Sequence, residues 1–485
     1  MICASLTSPT MDAALADMER ASELADIIEV RFDYIHSPAV RPFVERRIKP
    51  IIATNRPARE GGNYKGDEEN RIALLREAAA AGFDYIDIEM DSVDRLGGAG
   101  ASKVIVSYHN FEKTPDDLEA IHKQLVAAGA DIAKLAVMAN DIRDTLRIFD
   151  LLRGAGAPTI GLCMGEEGVI TRILGPRFGS FLSFGALADG KQSAPGQIPI
   201  RDMRELYRVN EINADTKLYG VIANPVAHSM SPAIHNAAFR EKGINAVYLP
   251  LKVADVRRFV TEFRKLDMQG YSVTIPHKVD VIAVMDEVDQ FVKDIGAMNT
   301  VVNRGGRLHG YNTDCLGALR AIESVMGGDE PLRGRRVVML GAGGTSRAIG
   351  YGVKARGGKL IILNRTVAKA EKLAGEIGCD WGPMDRLPEL TFDVLVNTTS
   401  VGMHPNVDET PAPADVLKKG MVVFDAVYNP METRLLREAA ERGCVTVSGV
   451  DMFVNQAASQ FEMWTDTDAP VEVMRNVVIE RLRGH

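Results

Sequence analysis

The chain has 485 residues, more than one ordinary hydrophobic core can organise, so two or three domains are expected. Hydrophobic residues make up 46% and charged residues 25%, as in globular proteins, and a net charge of −8 with no long basic run argues against nucleic acid or an anionic membrane as partner. The five cysteines (Cys3, Cys163, Cys315, Cys379 and Cys444) lie far apart, with no CxxC and no Cys/His cluster; this suggests neither a zinc site nor a disulfide framework and fits a reducing compartment, the cytoplasm. The longest apolar stretches fall short of a membrane span, and the opening MICASL reads as a strand rather than a leader segment.

From the first residue, short apolar segments alternate with helical ones. The segments ICASL, DIIEVRFD, PIIATNR, FDYIDIEM, KVIVSYH, DIAKLAVMA, PTIGLCMG and SFLSFGA read as strands. Stretches such as ENRIALLREAAAAG and PDDLEAIHKQLVAAG read as helices between them. Eight such repeats predict a closed parallel (β/α)8 barrel over residues 1–213, with tight loops. In a barrel of this kind chemistry sits at the C-terminal strand ends. The polar groups of this half fall there: Glu29, Arg31, Arg56, Glu89, His109, Lys134 and Arg172.

Lys134 stands out, because it interrupts an apolar strand. By itself it could be a strand-end lysine whose head snorkels into water. A lysine kept out of water beside other cations instead favours its neutral form, a nucleophile toward carbonyls. Neighbouring strands bring His109 to the same mouth, and Glu89 is expected to orient its imidazole. Together they suit proton abstraction next to a carbonyl, and the arginines ask for a carboxylate.

The segments EVRFD, YIDIE, SYHNFEKTP, DIAKLAVMA, TRILGPRFGS and SAPGQ resemble the type I 3-dehydroquinate dehydratases. That resemblance implies a Schiff base on Lys134, proton transfer by His109 held by Glu89, and a carboxylate grip by Arg172. Glu29, Arg31, Arg56, Ser193 and Gln197 would hold the ring hydroxyls and the SAPGQ lid. A class I aldolase also uses a barrel lysine; the strand-end His109 and the arginine set argue against it.

After a linker at 213–216 the pattern restarts with KLYGVIANP. A mixed α/β region over 217–324 carries NPVAHSMSPAIHN, GYSVTIPHK, GAMNT and GYNTD. Ser229 and Ser231 could be helix caps and Lys278 with Asp314 a surface ion pair, but a set of short hydroxyls, amides, one lysine and one aspartate also suits a polyol acid and a moving proton. Over 332–448, RRVVMLGAGGTSRAIGYGVKARGGKLIILNRT gives strand, Gly-rich turn, helix and strand, a Rossmann-like dinucleotide site with Gly341, Ala342, Gly343 and Gly344 at the turn. Its second strand ends in Asn364, Arg365 and Thr366 instead of an acid, which suits a ribose 2′-phosphate and hence NADP. GVDMFVNQAASQFEMWTD reads as a helix packing back on the middle region, so 449–485 completes it.

These motifs, with NTTSVGM and DAVYNPMETRLL, resemble the shikimate dehydrogenase family. The resemblance implies Lys278 and Asp314 as the catalytic pair, substrate contacts from Ser229, Ser231, Thr274, Asn299, Tyr428 and Gln456, and Thr398 beside the cofactor. Ser272 departs from it, where many relatives have Asn. Dehydration of 3-dehydroquinate yields what a shikimate dehydrogenase reduces, so the whole resembles the fused enzymes of the shikimate pathway. A variant acting on quinate stays open at this point.

Overall fold

The computed structural model describes residues 1–227 and 229–483. By its contacts the chain divides into two compact units. The first takes in Met1–Leu218 with Asn224–Ala227 and Asn245–Leu266, and the second takes in the other described residues. Among the described residues no helix is long and apolar enough to cross a membrane.

The eight expected strands form one parallel sheet: β1 (Ile2–Leu6), β2 (Ile27–Arg31), β3 (Ile51–Thr54), β4 (Tyr85–Glu89), β5 (Lys103–Asn110), β6 (Ile132–Met138), β7 (Thr159–Met164) and β8 (Ser183–Ala186). Their order, β7-β6-β5-β4-β3-β2-β1-β8, is that of a barrel opened at one seam. A bridge between Thr159 and Ser180 spans that seam. Helices of one to four turns fill the connections. Glu68–Ala81 starts where the Asp67 carboxylate accepts the N–H groups of Glu69 and Asn70, and stops at Gly82, whose φ of 100° ends the helix.

Side-chain alternation builds the barrel interior in layers. Cys3, Ile27, Ile52, Ile105, Ile132, Ile160 and Leu182 form an apolar floor, with Tyr85 against it. Two residues further along the same strands stand Ser5, Glu29, Thr54, Asp87, Ser107, Lys134, Leu162 and Phe184, all buried. The parity that carries Ile132 inward therefore carries Lys134 inward, and it is 5% exposed. The snorkelling alternative does not describe it.

A second, mixed sheet holds β9 (Lys217–Ala223), β10 (Ala246–Lys252), β11 (Gly270–Val273), β12 (Glu287–Val288), β13 (Thr300–Arg304) and β14 (Arg307–Tyr311), in the order β10-β9-β11-β13-β14-β12. The helix Gly449–Thr465 packs on helix Thr313–Ser324. Gly317 permits the approach, since a Cβ there would lie 2.7 Å from the Gln456 nitrogen.

A third sheet is all parallel: β15 (Arg336–Leu340), β16 (Lys359–Leu363), β17 (Asp380–Gly382), β18 (Val394–Asn397), β19 (Val422–Asp425) and β20 (Val445–Val447). Its order, β17-β16-β15-β18-β19-β20, is the 3-2-1-4-5-6 arrangement of a dinucleotide-binding fold, with the switch point beside β15.

Candidate active sites

The barrel mouth holds a pocket lined by residues that include Glu29, Arg31, Arg56, Glu60, His109, Lys134, Arg172, Ser193 and Gln197. Lys134 Nζ donates to Asp87 Oδ2 at 2.7 Å, lies 3.9 Å from Glu29 Oε1, and sits 4.2 Å from the centre of the Phe184 ring. Its charged neighbours are thus carboxylates, where the sequence reading expected cations. The reason is that the arginines are already paired. Arg56 donates to Asp87 Oδ1, Glu89 Oε1 and the Ser107 hydroxyl, at 2.7, 2.6 and 2.7 Å. Arg31 forms a two-pronged pair with Asp33 at 2.8 and 2.7 Å.

Burial alone would raise the Asp87 carboxyl, but Arg56, then Lys134 and His109, outweigh it and hold it well below the usual carboxylate range. Glu29 accepts from the hydroxyls of Ser5 (2.6 Å) and Thr54 (2.9 Å). Arg172 is different: it is 1% exposed, donates to the carbonyls of Phe184 and Pro195, and its Nε has no hydrogen-bond partner among the described residues. Burial lowers this guanidinium to about 10. A buried guanidinium with an unpartnered Nε in a pocket wall suits a carboxylate.

Glu89 does not orient His109. Its two oxygens are taken by Arg56 and by Arg71, each at 2.6 Å, beneath the pocket. The group on the imidazole is Glu60, whose Oε2 lies 2.8 Å from His109 Nδ1. Register sets this geometry. Glu89, the last residue of β4, stands opposite Ser107, and His109 lies two residues beyond, so only a loop reaches it. That loop follows β3 and turns back at two glycines. Gly61 has a φ of 72°, and a Cβ on Gly62 would lie 2.0 Å from the Arg56 carbonyl oxygen. Burial raises the Glu60 carboxyl to about 7. Burial, then Arg56 and Lys134, push the His109 imidazole well below its ordinary value. Ser193 and Gln197 lie on the loop after β8, where the Gln197 side chain accepts the Ser193 N–H at 2.7 Å.

In the second unit, Lys278 Nζ donates to Asp314 Oδ2 at 2.6 Å; their side chains are 32% and 22% exposed. Asp314 sits in the first turn of the helix that Asn312 caps. Asn299 fixes the other carboxylate oxygen: its Nδ2 donates to Asp314 Oδ1 at 2.9 Å and to Gln456 Oε1 at 3.3 Å. Its own Oδ1 accepts the Thr313 N–H at 2.7 Å. Ser272 donates to Gln460 Oε1 at 2.9 Å, an internal bond that ties β11 to helix Gly449–Thr465. Ser229 and Ser231 are half-buried at the start of helix Ser231–Glu241, where the Ser229 hydroxyl accepts the Ser231 N–H at 3.3 Å. Thr274 is half-buried just after β11, and Tyr428 is exposed and stacked on Phe453. Among the described residues, none of these four bonds directly to the Lys278–Asp314 pair.

The Gly-rich turn leaves β15 with Gly341 at a φ of 112°, where a Cβ would lie 2.7 Å from Thr398 Oγ1. Thr398 donates to the Leu340 carbonyl and bonds Ser346, each at 2.7 Å, and Ser346 Oγ accepts the Gly343 N–H at 2.9 Å. The third-glycine position thus became a brace. Ideal Cβ positions on Gly343 and Gly344 meet nothing within 4 Å, which leaves an open cradle at the N-terminus of helix Gly344–Ala355. That cradle fits a pyrophosphate. Ala342 is half-buried beside it, Asn364 donates to the Thr366 carbonyl at 2.9 Å, and Arg365 and Thr366 are exposed at the end of β16.

Comparison with known proteins finds relatives for both halves of the chain. The type I 3-dehydroquinase family model matches residues 2–214, the shikimate dehydrogenase substrate-binding domain 221–301, and the shikimate 5′-dehydrogenase C-terminal domain 449–479. A bifunctional 3-dehydroquinate dehydratase/shikimate dehydrogenase, chloroplastic, of Arabidopsis thaliana is 43% identical over 98% of this chain and 83% of its own. The NADP(+) shikimate dehydrogenase of Bacillus cereus (strain B4264) is 43% identical over 55% of this chain and 99% of its own. A solved shikimate dehydrogenase in complex with NADP+ superposes with a TM-score of 0.52 at 38% identity, over 56% of this chain and 97% of that one. The chain therefore belongs to the family of bifunctional 3-dehydroquinate dehydratase/shikimate dehydrogenases, NADP-dependent enzymes of the shikimate pathway.

Proposed function

We propose that Lys134, His109 and Glu60 carry the dehydration and that Lys278 and Asp314 carry the reduction. The observation behind the first assignment is the buried Lys134 between two carboxylates, beside a His–Glu pair and an arginine in the pocket wall whose Nε has no hydrogen-bond partner among the described residues. Lys134 Nζ attacks the ketone of 3-dehydroquinate, and two of its ammonium protons, relayed by His109, leave with the ketone oxygen as water, so that an iminium remains. Asp87 faces that nitrogen and favours the cation, which draws electrons from the adjacent C–H bond. His109, neutral because it is buried, takes the proton through Nε2 while Glu60 accepts the Nδ1–H and fixes the tautomer. The same imidazolium protonates the departing hydroxyl, and hydrolysis of the imine frees 3-dehydroshikimate. Arg172 takes the substrate carboxylate; Glu29, Arg31, Arg56, Ser193 and Gln197 shape the rest of the pocket.

In the second site Lys278 and Asp314 exchange a proton with the substrate oxygen while Asn299 holds the carboxylate still. Ser229, Ser231, Thr274, Tyr428 and Gln456 would surround the ring. NADPH supplies the hydride when bound. Gly341 to Gly344 and Thr398 would receive its pyrophosphate, and Asn364, Arg365 and Thr366 its 2′-phosphate.

The chain divides, on this reading, into a dehydratase over 1–213, a substrate lobe over 217–324 completed by 449–485 (its last two residues lie outside the described ones), and an NADP lobe over 332–448; the family matches to 2–214, 221–301 and 449–479 support the first two, and the parallel sheet β15–β20 supports the third. We place the protein in the cytoplasm, where five unpaired cysteines are at home. The test is a coupled assay with 3-dehydroquinate and NADPH, followed by borohydride trapping and peptide mapping. Loss of nicotinamide absorbance and an adduct on Lys134 are expected. An adduct elsewhere overturns the imine assignment.

A further inference from the structure

The carboxylate of Asp33 makes two kinds of contact that no step above uses. It grips Arg31 with both oxygens, at 2.8 Å to Nε and 2.7 Å to the terminal nitrogen. Its Oδ2 also accepts the backbone N–H of Asn63 at 3.0 Å. Asn63 belongs to the loop that carries Glu60, and its side chain plays no part in that bond. The far flank of the loop is tied too: Arg59 donates to both oxygens of Asp91, at 2.9 and 2.8 Å, and to Ser92 Oγ at 2.9 Å. Between the flanks the loop closes on itself, with Ala58 N–H on the Tyr64 carbonyl and Tyr64 N–H on the Arg56 carbonyl.

The two ties differ in setting. The Arg59–Asp91 pair is exposed on both sides, 43% and 56%, and so adds little on its own. The Asp33 side chain is fully buried and that of Arg31 is 7% exposed. A buried carboxylate shared between a pocket cation and a loop N–H fixes both with little slack. Glu60 stands three residues before Asn63, across Gly61 and Gly62, which have no side chains to brace the turn. A ring does brace it: the Cβ of any residue at 61 would lie 2.2 Å from Phe111, whose ring also stacks on His109.

We propose that Asp33 is a positioning residue for the dehydration, holding Arg31 in the pocket wall with one contact and the Glu60 loop against His109 with the other. The inference rests on the reading of Glu60 as the partner of His109. Its expected signature is double. Loss of the Arg31 grip raises KM, and loss of the loop tie lowers kcat and moves the acid limb of the pH profile.

The experiment compares Asp33→Ala, Asp33→Asn and Glu60→Gln in the full chain, with NADPH-dependent reduction of added 3-dehydroshikimate and the borohydride-trappable fraction as measures of intact folding. Asp33→Ala is expected to lower dehydratase kcat/KM about 100-fold, through both KM and kcat, with the acid limb displaced. Asp33→Asn keeps an acceptor for Asn63 but loses the charged two-pronged grip; it should raise KM and leave the acid limb in place. Wild-type kcat, KM and acid limb in a trappable Asp33→Ala protein overturn the proposal. If Asp33→Ala does not fold, Asp33→Asn decides, and an unchanged KM there overturns it. If Glu60→Gln moves the acid limb and Asp33→Ala does not, the inference fails alone. If Glu60→Gln changes neither kcat nor the limb, it falls together with the reading it rests on.

Discussion

The two active sites solve the solvation of charge in opposite ways. Around Lys134 the barrel buries alternating charges, Arg71, Glu89, Arg56, Asp87, Lys134 and Glu29, each within reach of an opposite one. Around Lys278 a half-exposed ion pair is steadied by neutral amides from Asn299 and Gln456. The difference follows the chemistry. An imine must form and collapse on the protein itself, so the barrel has to supply a dry, preorganised field. In the reductase the cofactor carries the electrons, so the site needs a proton carrier and a frame that substrate and nicotinamide complete.

Paired substitutions break this comparison most sharply. Lys134→Ala should abolish dehydration and borohydride trapping while reduction of 3-dehydroshikimate continues. Lys278→Ala should abolish reduction and leave dehydration intact. Their costs in stability should differ. Removing Lys134 takes the cation from Asp87 Oδ2 and from beside Glu29, leaving Asp87 with Arg56 and Glu29 with the hydroxyls of Ser5 and Thr54, a cost of at most about 3–5 kcal/mol, the range for breaking a buried pair. Removing Lys278 leaves Asp314 with solvent and Asn299, about 1 kcal/mol or less. Denaturant titration of the full-length variants measures both. Equal losses would mean that the barrel charges are solvated like those of the second site.

The contrast also explains what could be read from sequence. Period two along DIAKLAVMA is local, so the inward position of Lys134 was legible, and so was the strand–turn–helix around GAGGTS. Asp87 shared the inward parity of Glu89 in YIDIEM, but its approach to Lys134 crosses the barrel from β4 to β6, two strands away. No spacing along the chain encodes such a reach. Glu60 lies in a loop without periodicity, where the only local sign was the Gly61-Gly62 pair that follows it. The bond from Ser272 to Gln460 spans 188 residues and was likewise invisible.

Glu60 gives the next largest effect, and its pH dependence has a definite sign. Its carboxyl is raised to about 7, so it is neutral below that pH and ionised above. When neutral it donates to His109 Nδ1, and the imidazole proton moves to Nε2, where it blocks proton abstraction. Dehydratase kcat/KM should therefore rise with pH through about 7 and level off. Glu60→Gln should remove that limb and lower kcat roughly 100-fold, the lower range of what a positioned base contributes. A limb that survives in Glu60→Gln would assign it to another group. Reduction, measured in the same protein, should keep its own profile.

The smallest effect tests the open end of the comparison, at the exposed cofactor edge. Arg365 lies at the end of β16 and forms no ion pair among the described residues, so nothing in the fold is lost when it is removed. On the proposed assignment its guanidinium would meet the 2′-phosphate at the surface, where water and salt compete for it. One charge-assisted bond of this kind contributes about 1.5–3 kcal/mol, or tenfold and upward in affinity. Arg365→Ala should raise KM for NADPH by about tenfold at low ionic strength, less in high salt, and leave KM for NADH unchanged. Stability and dehydration should not move. An equal loss for both nicotinamides would show that Arg365 shapes the turn after β16, with NADP selectivity resting on Asn364 and Thr366.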